Sequence, residues 1–203
     1  MNPRIVRRFV ILLALLTVGM FVFWGVIEGV VQRAPGDFDT EMGVNRMTDG
    51  HWDEAIEYFD KALAAAPNHR GALMGRALVF IQTERYDDAI AELDHLIAFL
   101  ESNLEPDDKT GAGALAAAYA NRGIVFDRQG KYERALESYL MALHTDPGAV
   151  EGPGIIDRIL YNYDHVSSVR KRAGYLIEQL KLPEDQRVMR IEELDAMQRM
   201  HKP

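Results

Sequence analysis

Three stretches of the sequence carry one pattern: HWDEAIEYFDKALAAAP at residues 51–67, RYDDAIAELDHLIAFLE at 85–101 and KYERALESYLMALHTDP at 131–147. Each has an aromatic residue, then an alanine three positions later, then a large residue four positions after the alanine. Residues at this spacing lie on one face of an α-helix. The second stretch starts 34 residues after the first and the third starts 46 after the second. The sequence therefore predicts one helical unit repeated three times. The shared positions are Trp52, Tyr86 and Tyr132, then Ala55, Ala89 and Ala135, then Phe59, Leu93 and Tyr139.

Each unit extends toward the N-terminus far enough to hold a second helix. The predicted units cover about 36–69, 70–103 and 116–149, and the excess of 12 residues in the second interval places an insertion at 104–115. Pro106 and two glycines predict that this insertion is a loop.

A helix-turn-helix period of 34 residues resembles the tetratricopeptide repeat, over about 36–149. The second unit departs from that pattern, with Ala77 where glycine is usual and Glu101 where the closing proline is, so its second helix is expected to run toward Asn103. The resemblance implies an all-α fold in which the units stack into a short superhelical array and their first helices line a concave protein-binding groove. The residues that match the family pattern are Gly43, Ala55, Phe59, Ala62 and Pro67 in the first unit, Phe80, Ala89 and Leu93 in the second, and Gly123, Phe126, Ala135, Tyr139, Ala142 and Pro147 in the third.

The resemblance also indicates which side chains face the groove. Family members that grip a C-terminal carboxylate use Lys and Asn there, whereas this chain has the pairs Thr40 with Val44, Met74 with Leu78 and Ala120 with Ile124. We therefore expect an apolar or amphipathic partner segment rather than an acidic tail. The alternative is that the protein's own C-terminal helices or the linker after the N-terminal helix cover these side chains. The predicted groove residues are Val44, Met47, Met74, Leu78, Ile81, Gln82, Ala120, Ile124, Asp127 and Arg128.

The N-terminus predicts a membrane anchor at residues 9–31, preceded by a basic tip at 1–8. Residues 9–27 carry no charge, and as a helix they would span about 28 Å, close to the hydrocarbon core of a bilayer. Arg4, Arg7 and Arg8 precede the span, which favours a cytoplasmic N-terminus and an extracytoplasmic repeat domain. The expected location is a bacterial inner membrane, with the repeats in the periplasm. A cleaved signal peptide and a buried globular helix are the alternatives.

The segment 150–203 is predicted to be a C-terminal helical cap, because a terminal repeat needs a covering element with a polar outer face. Apolar residues at helical spacing predict helices over 155–164, 166–180 and 184–200. The alternative is a separate helix that docks on a partner.

The composition excludes several classes of chemistry. The 203 residues include no Cys, which removes disulfides and thiolate sites, and 31 acidic against 23 basic side chains argue against nucleic-acid binding. The sequence has no H-E-x-x-H zinc motif, phosphate-binding P-loop or G-x-S-x-G elbow. We therefore expect no catalytic residues, no metal and no cofactor. Of the six histidines, His51, His69 and His144 lie in or near turns and are interpreted as solvated polar residues.

Three functions remain open at this stage. The leading one is a membrane-tethered interaction scaffold, an assembly or quality-control factor that binds apolar or amphipathic client segments of other proteins. The second is a stoichiometric structural subunit of one membrane complex. The third, an enzyme or enzyme-regulatory subunit with the insertion as a lid, has no site constellation in its favour.

Overall fold

The computed structural model describes residues 3–31, 33–150 and 169–191, and in the first of these ranges it describes side chains up to residue 25. Within these ranges the secondary structure is helical and contains no strand, so the predicted all-α class is confirmed. The helices are α1 (Pro3–Val31), α2 (Asp37–Thr48), α3 (Trp52–Ala65), α4 (Arg70–Gln82), α5 (Tyr86–Asn103), α6 (Lys109–Arg128), α7 (Tyr132–Thr145) and α8 (Val169–Leu180), with short 3-10 turns at Gly148–Val150 and Glu184–Gln186.

Helices α2 to α7 form three antiparallel hairpins that stack in chain order. Each second helix packs on the first helix of its own unit and on the first helix of the next unit. The first helices also contact one another, α2 with α4 and α4 with α6. Small residues allow this close approach: a Cβ on Gly43 would lie 2.6 Å from the Phe59 ring, and one on Gly123 would lie 2.6 Å from the Tyr139 ring. Glycine at these two positions therefore lets the two helices of each unit approach closely.

The turn inside each hairpin places one residue in the left-handed region of the backbone. Gly50 has φ 79°, Gly130 has φ 74° and Glu84, at the equivalent position, has φ 60°. Only glycine adopts this conformation without steric cost, so the second unit carries backbone strain that the other two avoid.

The insertion forms a shorter loop than predicted. Helix α5 runs to Asn103, as expected, but α6 already begins at Lys109, so the non-helical segment covers only 104–108. The Asp108 side chain accepts a hydrogen bond from the Gly111 backbone N–H at 2.7 Å and caps the helix. The glycines at 111 and 113 were interpreted as loop residues, but the cap and the alanine-rich sequence that follows extend the helix through both.

Helix α8 closes the far end of the array by packing on α7. Its buried residues Val169, Ala173 and Leu176 follow Ala135, Tyr139 and Ala142 of α7 at the same interval of 34 residues. Helix α8 thus repeats the apolar pattern of the preceding second helices.

The chain after α8 corrects one prediction. The helix expected over 184–200 is wrong for 184–191, where a 3-10 turn is followed by non-helical chain. Side chains of α8 satisfy this backbone instead: Tyr175 donates to the Val188 carbonyl at 2.5 Å, and Gln179 accepts from the Val188 N–H at 2.7 Å. The predicted helix at 155–164 and the rest of the last one lie outside the described residues.

Helix α1 contains one segment, Pro3–Gly25, that is long and apolar enough to cross a membrane, and none of its most apolar window is buried against the protein. The chain between α1 and α2 comprises only residues 32–36. Gly36 and Asp37 close a tight turn in which Ala34 donates its N–H to the Asp37 carboxylate at 2.8 Å.

Candidate functional site

Half of the predicted groove residues are packed inside the protein. Met74, Leu78, Ile81, Ala120 and Ile124 are each at most 2% exposed. They belong to the main buried apolar cluster, to which α4 and α6 both contribute. These five side chains offer almost no surface to a partner, which corrects the expectation of an open row.

The other predicted groove residues divide between exposed and occupied positions. Val44 is 39% exposed, Gln82 is exposed and Met47 is half-buried. Asp127 is buried and accepts two hydrogen bonds from Arg172 of α8, both at 2.7 Å. The alternative that C-terminal helices cover part of the groove therefore holds at Asp127. Arg128 is half-buried, and its guanidinium reaches toward the Ile81 carbonyl at 3.5 Å.

A cavity of about 550 Å³ opens between the first turns of α4 and α6. Met74, one of the predicted groove residues, contributes to its wall. Half of the lining residues are glycine or alanine, and these residues have little or no side chain to fill the space. The lining residues are Arg70, Gly71, Met74, Asp108, Lys109, Thr110, Gly113, Ala114, Ala117 and Ala149.

Charged side chains lie at the opening of the cavity, and two of them pair with each other. Arg70 donates to Asp108 at 2.9 Å, which joins the first turn of α4 to the loop before α6. The Gly111 backbone N–H, and next the Arg70 guanidinium, hold the pKa of Asp108 below its usual range. The carboxylate therefore stays ionised at neutral pH, and the pair with Arg70 persists.

A buried amide contacts one of the side chains that line the cavity. Asn121, fully buried on α6, donates from Nδ2 to the Met74 sulfur at 3.4 Å. This contact joins the adjacent first helices α4 and α6 beside the cavity.

The α4 wall is also tied to the chain that follows α1. His69 caps α4 by accepting from the Ala72 N–H at 3.2 Å, and its Nε2 lies 2.9 Å from Asp37. This hydrogen bond holds the pKa of Asp37 below its usual range. His69 was interpreted as a solvated turn residue, but its side chain is only 17% exposed.

Sequence reasoning also missed a repeated arginine. Arg76 on α4 pairs with Asp60 of the preceding unit and with Glu92 of its own unit, the latter at 2.6 Å. Arg122 on α6, 46 residues later, pairs with Asp94 at 2.7 Å and donates to a serine on α7 at 3.2 Å. Arg122 follows Arg76 by 46 residues, Asp94 follows Asp60 by 34, and the serine follows Glu92 by 46. These are the intervals of the repeat, so the sequence could have revealed the pattern. These arginines cross-link successive units and hold the two helices that form the cavity.

None of the described residues forms a group of three or more His, Asp or Glu side chains that could hold a metal ion. The residues that line the cavity include a single carboxylate, which is held in an ion pair. The arrangement is suited to binding by shape and apolar contact.

Comparisons with known proteins agree with this architecture. Models of the tetratricopeptide repeat match residues 40–103 and 116–148. The structure of the first such domain of Spaghetti (RPAP3) bound to the HSP90 peptide SRMEEVD is 18% identical, has a TM-score of 0.53, and covers 73% of this chain and 94% of that one. The structure of the Sgt2 domain from Aspergillus fumigatus is 15% identical and has a TM-score of 0.50. The match covers 79% of this chain and 93% of that one. At these identities the likeness concerns the fold. No curated protein sequence matches the chain significantly.

Proposed function

We propose, from the premise that residues 40–103 and 116–148 are tetratricopeptide repeats, that this protein is a membrane-tethered scaffold that binds segments of other proteins. Tetratricopeptide domains mediate protein–protein interaction, and in the Spaghetti structure such a domain holds a peptide. In this proposal the protein is an assembly or quality-control factor. Its clients are apolar or amphipathic segments, because the Lys and Asn pairs that grip a carboxylate are absent from the corresponding positions.

The observation that carries the proposal is the short connection between a membrane-competent helix and the repeats. Residues 32–36 can span at most about 17 Å. The first repeat therefore stays close to the end of α1, and the binding surface stays close to the membrane. Such confinement raises the effective concentration for partners in the same membrane, so a contact of modest affinity is enough.

The proposed orientation places the N-terminus in the cytoplasm and the repeats on the extracytoplasmic side, which is the periplasm if the membrane is a bacterial inner membrane. The three arginines before the span support this orientation through the positive-inside tendency. A cysteine introduced into this cysteine-free chain would test it. Glu57→Cys, at an exposed position on α3, should react with a membrane-impermeant maleimide in intact spheroplasts, and labelling only after lysis would contradict the orientation.

Site-specific photocrosslinking in native membranes tests the binding proposal. A photoreactive residue at exposed Gln82, on the last turn of α4, should capture several proteins in substoichiometric amounts. The matched control is exposed Glu57 on the second helix of the first unit, which should capture far less. Equal capture from both positions would contradict a specific binding face. One partner captured at equal stoichiometry would instead favour a structural subunit of a single complex.

A further inference from the structure

The outer side of α2 differs from the same side of the next two first helices. Position 38 of α2 corresponds to Ala72 of α4 and to Ala118 of α6, and both alanines are fully buried. In α4 this side packs on α3, the second helix of the preceding unit, and α6 packs on α5 in the same way. In α2 the residue is Phe38, and it is 56% exposed. The first unit therefore presents an aromatic ring to its surroundings where the other units bury an alanine.

The exposed side of α2 is apolar at the end that follows α1 and polar farther on. Two turns beyond Phe38 on the same side, Asn45 is exposed, whereas its counterparts Val79 and Val125 are fully buried. The two positions are separated by about 10 Å along the helix axis. The first turn of α2 therefore suits an apolar surrounding, and the third turn suits water. One aromatic ring is too small an apolar surface for a stable protein interface, which buries about 800 Å² on each partner.

The chain that joins α1 to α2 is tied to the repeats. The Asp37 backbone N–H donates to the Ala34 carbonyl at 3.1 Å, and the Ala34 N–H donates to the Asp37 carboxylate at 2.8 Å. The same carboxylate lies 2.9 Å from Nε2 of His69, which caps α4. The turn before α2 is therefore held by two units of the array.

Arg33 brings this connection next to the exposed ring. Its guanidinium lies 5.9 Å from the centre of the Phe38 ring and pairs with Glu41 at 3.3 Å. Helix α1 ends at Val31, two residues earlier, so at most about 7 Å of chain separates the end of α1 from Arg33. Arg33 and Phe38 therefore stay close to the end of the membrane-competent helix.

We infer that Phe38 inserts into the interfacial layer of the membrane that α1 spans and holds the first turn of α2 against the lipid headgroups. The inference rests on the proposed function, because it requires α1 to lie in a membrane, and it adds a second lipid contact outside the span. The uncharged residues 9–27 account for the hydrocarbon core, and the last four residues of α1 rise about 6 Å, which matches an interfacial layer of about 5–7 Å. A helical side chain leans toward the N-terminus of its helix, so the Phe38 ring leans back toward the turn that follows α1.

The side chains around Phe38 favour insertion of the ring over attraction by charge. Aromatic rings are enriched at membrane–water interfaces, and the long side chain of Arg33 can reach lipid phosphates from beside the ring. The neighbouring charges are acidic, since Asp37, Asp39 and Glu41 lie within the first two turns of α2. An anionic surface would repel these carboxylates, so a zwitterionic bilayer is the surface that this turn fits.

The second lipid contact would fix which edge of the array faces the membrane. Asp37 ties the start of α2 to His69 at the start of α4, and Arg70 ties the start of α4 to Asp108 before α6. The starts of the three first helices therefore share one edge. With Phe38 in the interface, this edge and the cavity between α4 and α6 face the lipid surface.

Tryptophan fluorescence of the full chain in phosphatidylcholine nanodiscs tests the inference. The chain has two tryptophans, Trp24 in α1 and Trp52 at the start of α3. Phe38→Trp is introduced into a chain that carries Trp24→Phe and Trp52→Phe. Bromine atoms on the acyl chains near the headgroup quench only rings that lie close to them. Compared with unbrominated lipid, this variant should lose at least about half of its fluorescence if the ring lies in the interfacial layer.

The matched control is Val44→Trp in the same background. Val44 lies on the same helix, is 39% exposed and stands about 9 Å farther along the axis from the start of α2. This variant should lose less than about a tenth of its fluorescence, because it lies beyond the interfacial layer. A chain that retains only Trp24 reports on the span itself and should be strongly quenched.

Four results separate the inference from the proposed tether. Strong quenching of Trp24 without quenching of Phe38→Trp would overturn the inference and leave the tether intact. Equal quenching of Phe38→Trp and Val44→Trp would also overturn it, because α2 would then lie flat on the bilayer. Emission of Phe38→Trp at a short wavelength without quenching would show that protein, such as a second copy of the chain, covers the ring. Absence of quenching at Trp24 would refute the tether, and the inference with it.

Discussion

The buried ion pair between Arg172 and Asp127 should decide whether α8 stays docked. The two side chains are 7% and 5% exposed and share two hydrogen bonds of 2.7 Å. Arg172 also donates to the Met189 carbonyl at 2.9 Å, so one side chain joins α6, α8 and the chain after α8. Removing one partner of a buried pair leaves the other charge uncompensated, which costs about 3–5 kcal/mol.

Arg172→Met keeps much of the length of the side chain and removes its charge, so we expect the free energy of unfolding to fall by about 3–5 kcal/mol. For a chain of this size the loss corresponds to a melting temperature lower by about 6 to 20 °C. The measurement is urea and thermal unfolding of the full chain in mild detergent, followed by circular dichroism. Hydrogen exchange should show the largest loss of protection in α8.

The control for this prediction is Lys181→Gln, which breaks the exposed pair with Glu178 on the same segment and should cost less than about 0.5 kcal/mol. A double-mutant cycle with Asp127→Asn separates the pair from the other contacts of Arg172, and we expect a coupling of at least about 1.5 kcal/mol. A loss in Arg172→Met no larger than that in Lys181→Gln, or a coupling near zero, would refute the reasoning.

Three further predictions concern single groups. Burial raises the pKa of Tyr119 to about 12, and a hydrogen bond to a carboxylate of α5 adds to this effect. The contribution of Tyr119 to stability should therefore be present below about pH 10 and disappear as the pH rises to about 12. Titration of tyrosine absorbance at 295 nm, compared with Tyr119→Phe, measures the pKa, and ionisation of Tyr119 near pH 10 would contradict the prediction. The hydrogen bond from His69 lowers the pKa of Asp37, so the stability gap between wild type and Asp37→Asn should be present above about pH 4 and shrink in more acidic buffer; a gap that widens in acid would contradict the lowered pKa. Glu84→Gly should relieve the strain of the positive φ of 60° and raise the free energy of unfolding by about 1 kcal/mol. Gly130→Ala should lower the free energy of unfolding by a similar amount. If both variants changed it in the same direction, backbone strain would be excluded as the cause.

The repeat period accounts for most of the fold that the sequence could predict. Positions such as Ala55, Ala89 and Ala135 recur because each second helix meets the same neighbours, and all three are fully buried. The run of α5 to Asn103 also followed from sequence, because the closing proline of that unit is missing. These successes share one physical origin, since a periodic apolar pattern reports on local helix formation and nearest-neighbour packing.

The failures concern contacts between segments that are distant in sequence. Leu78 and Ile124 were predicted to face the partner from their place in the repeat frame, but only the spacing of α4 and α6 decides how much of each remains exposed. Likewise, hydrogen bonds between Val188 and the Tyr175 and Gln179 side chains of α8 hold the chain near Val188 in a non-helical form despite the helical pattern over 184–191. No periodicity encodes either effect, because both depend on how units meet in three dimensions.

The insertion gives the repeat array a cavity that the three units alone do not form. Stacked units bury the large side chains of adjacent first helices, so Met74, Leu78 and Ile124 stabilise the array at the expense of exposed apolar surface in the groove. Extending α6 by additional turns adds Gly113 and Ala114 beside that packed layer, and open space lined by small residues remains next to them. The segment that breaks the 34-residue period therefore changes the surface of the array while the stacked core keeps its pattern.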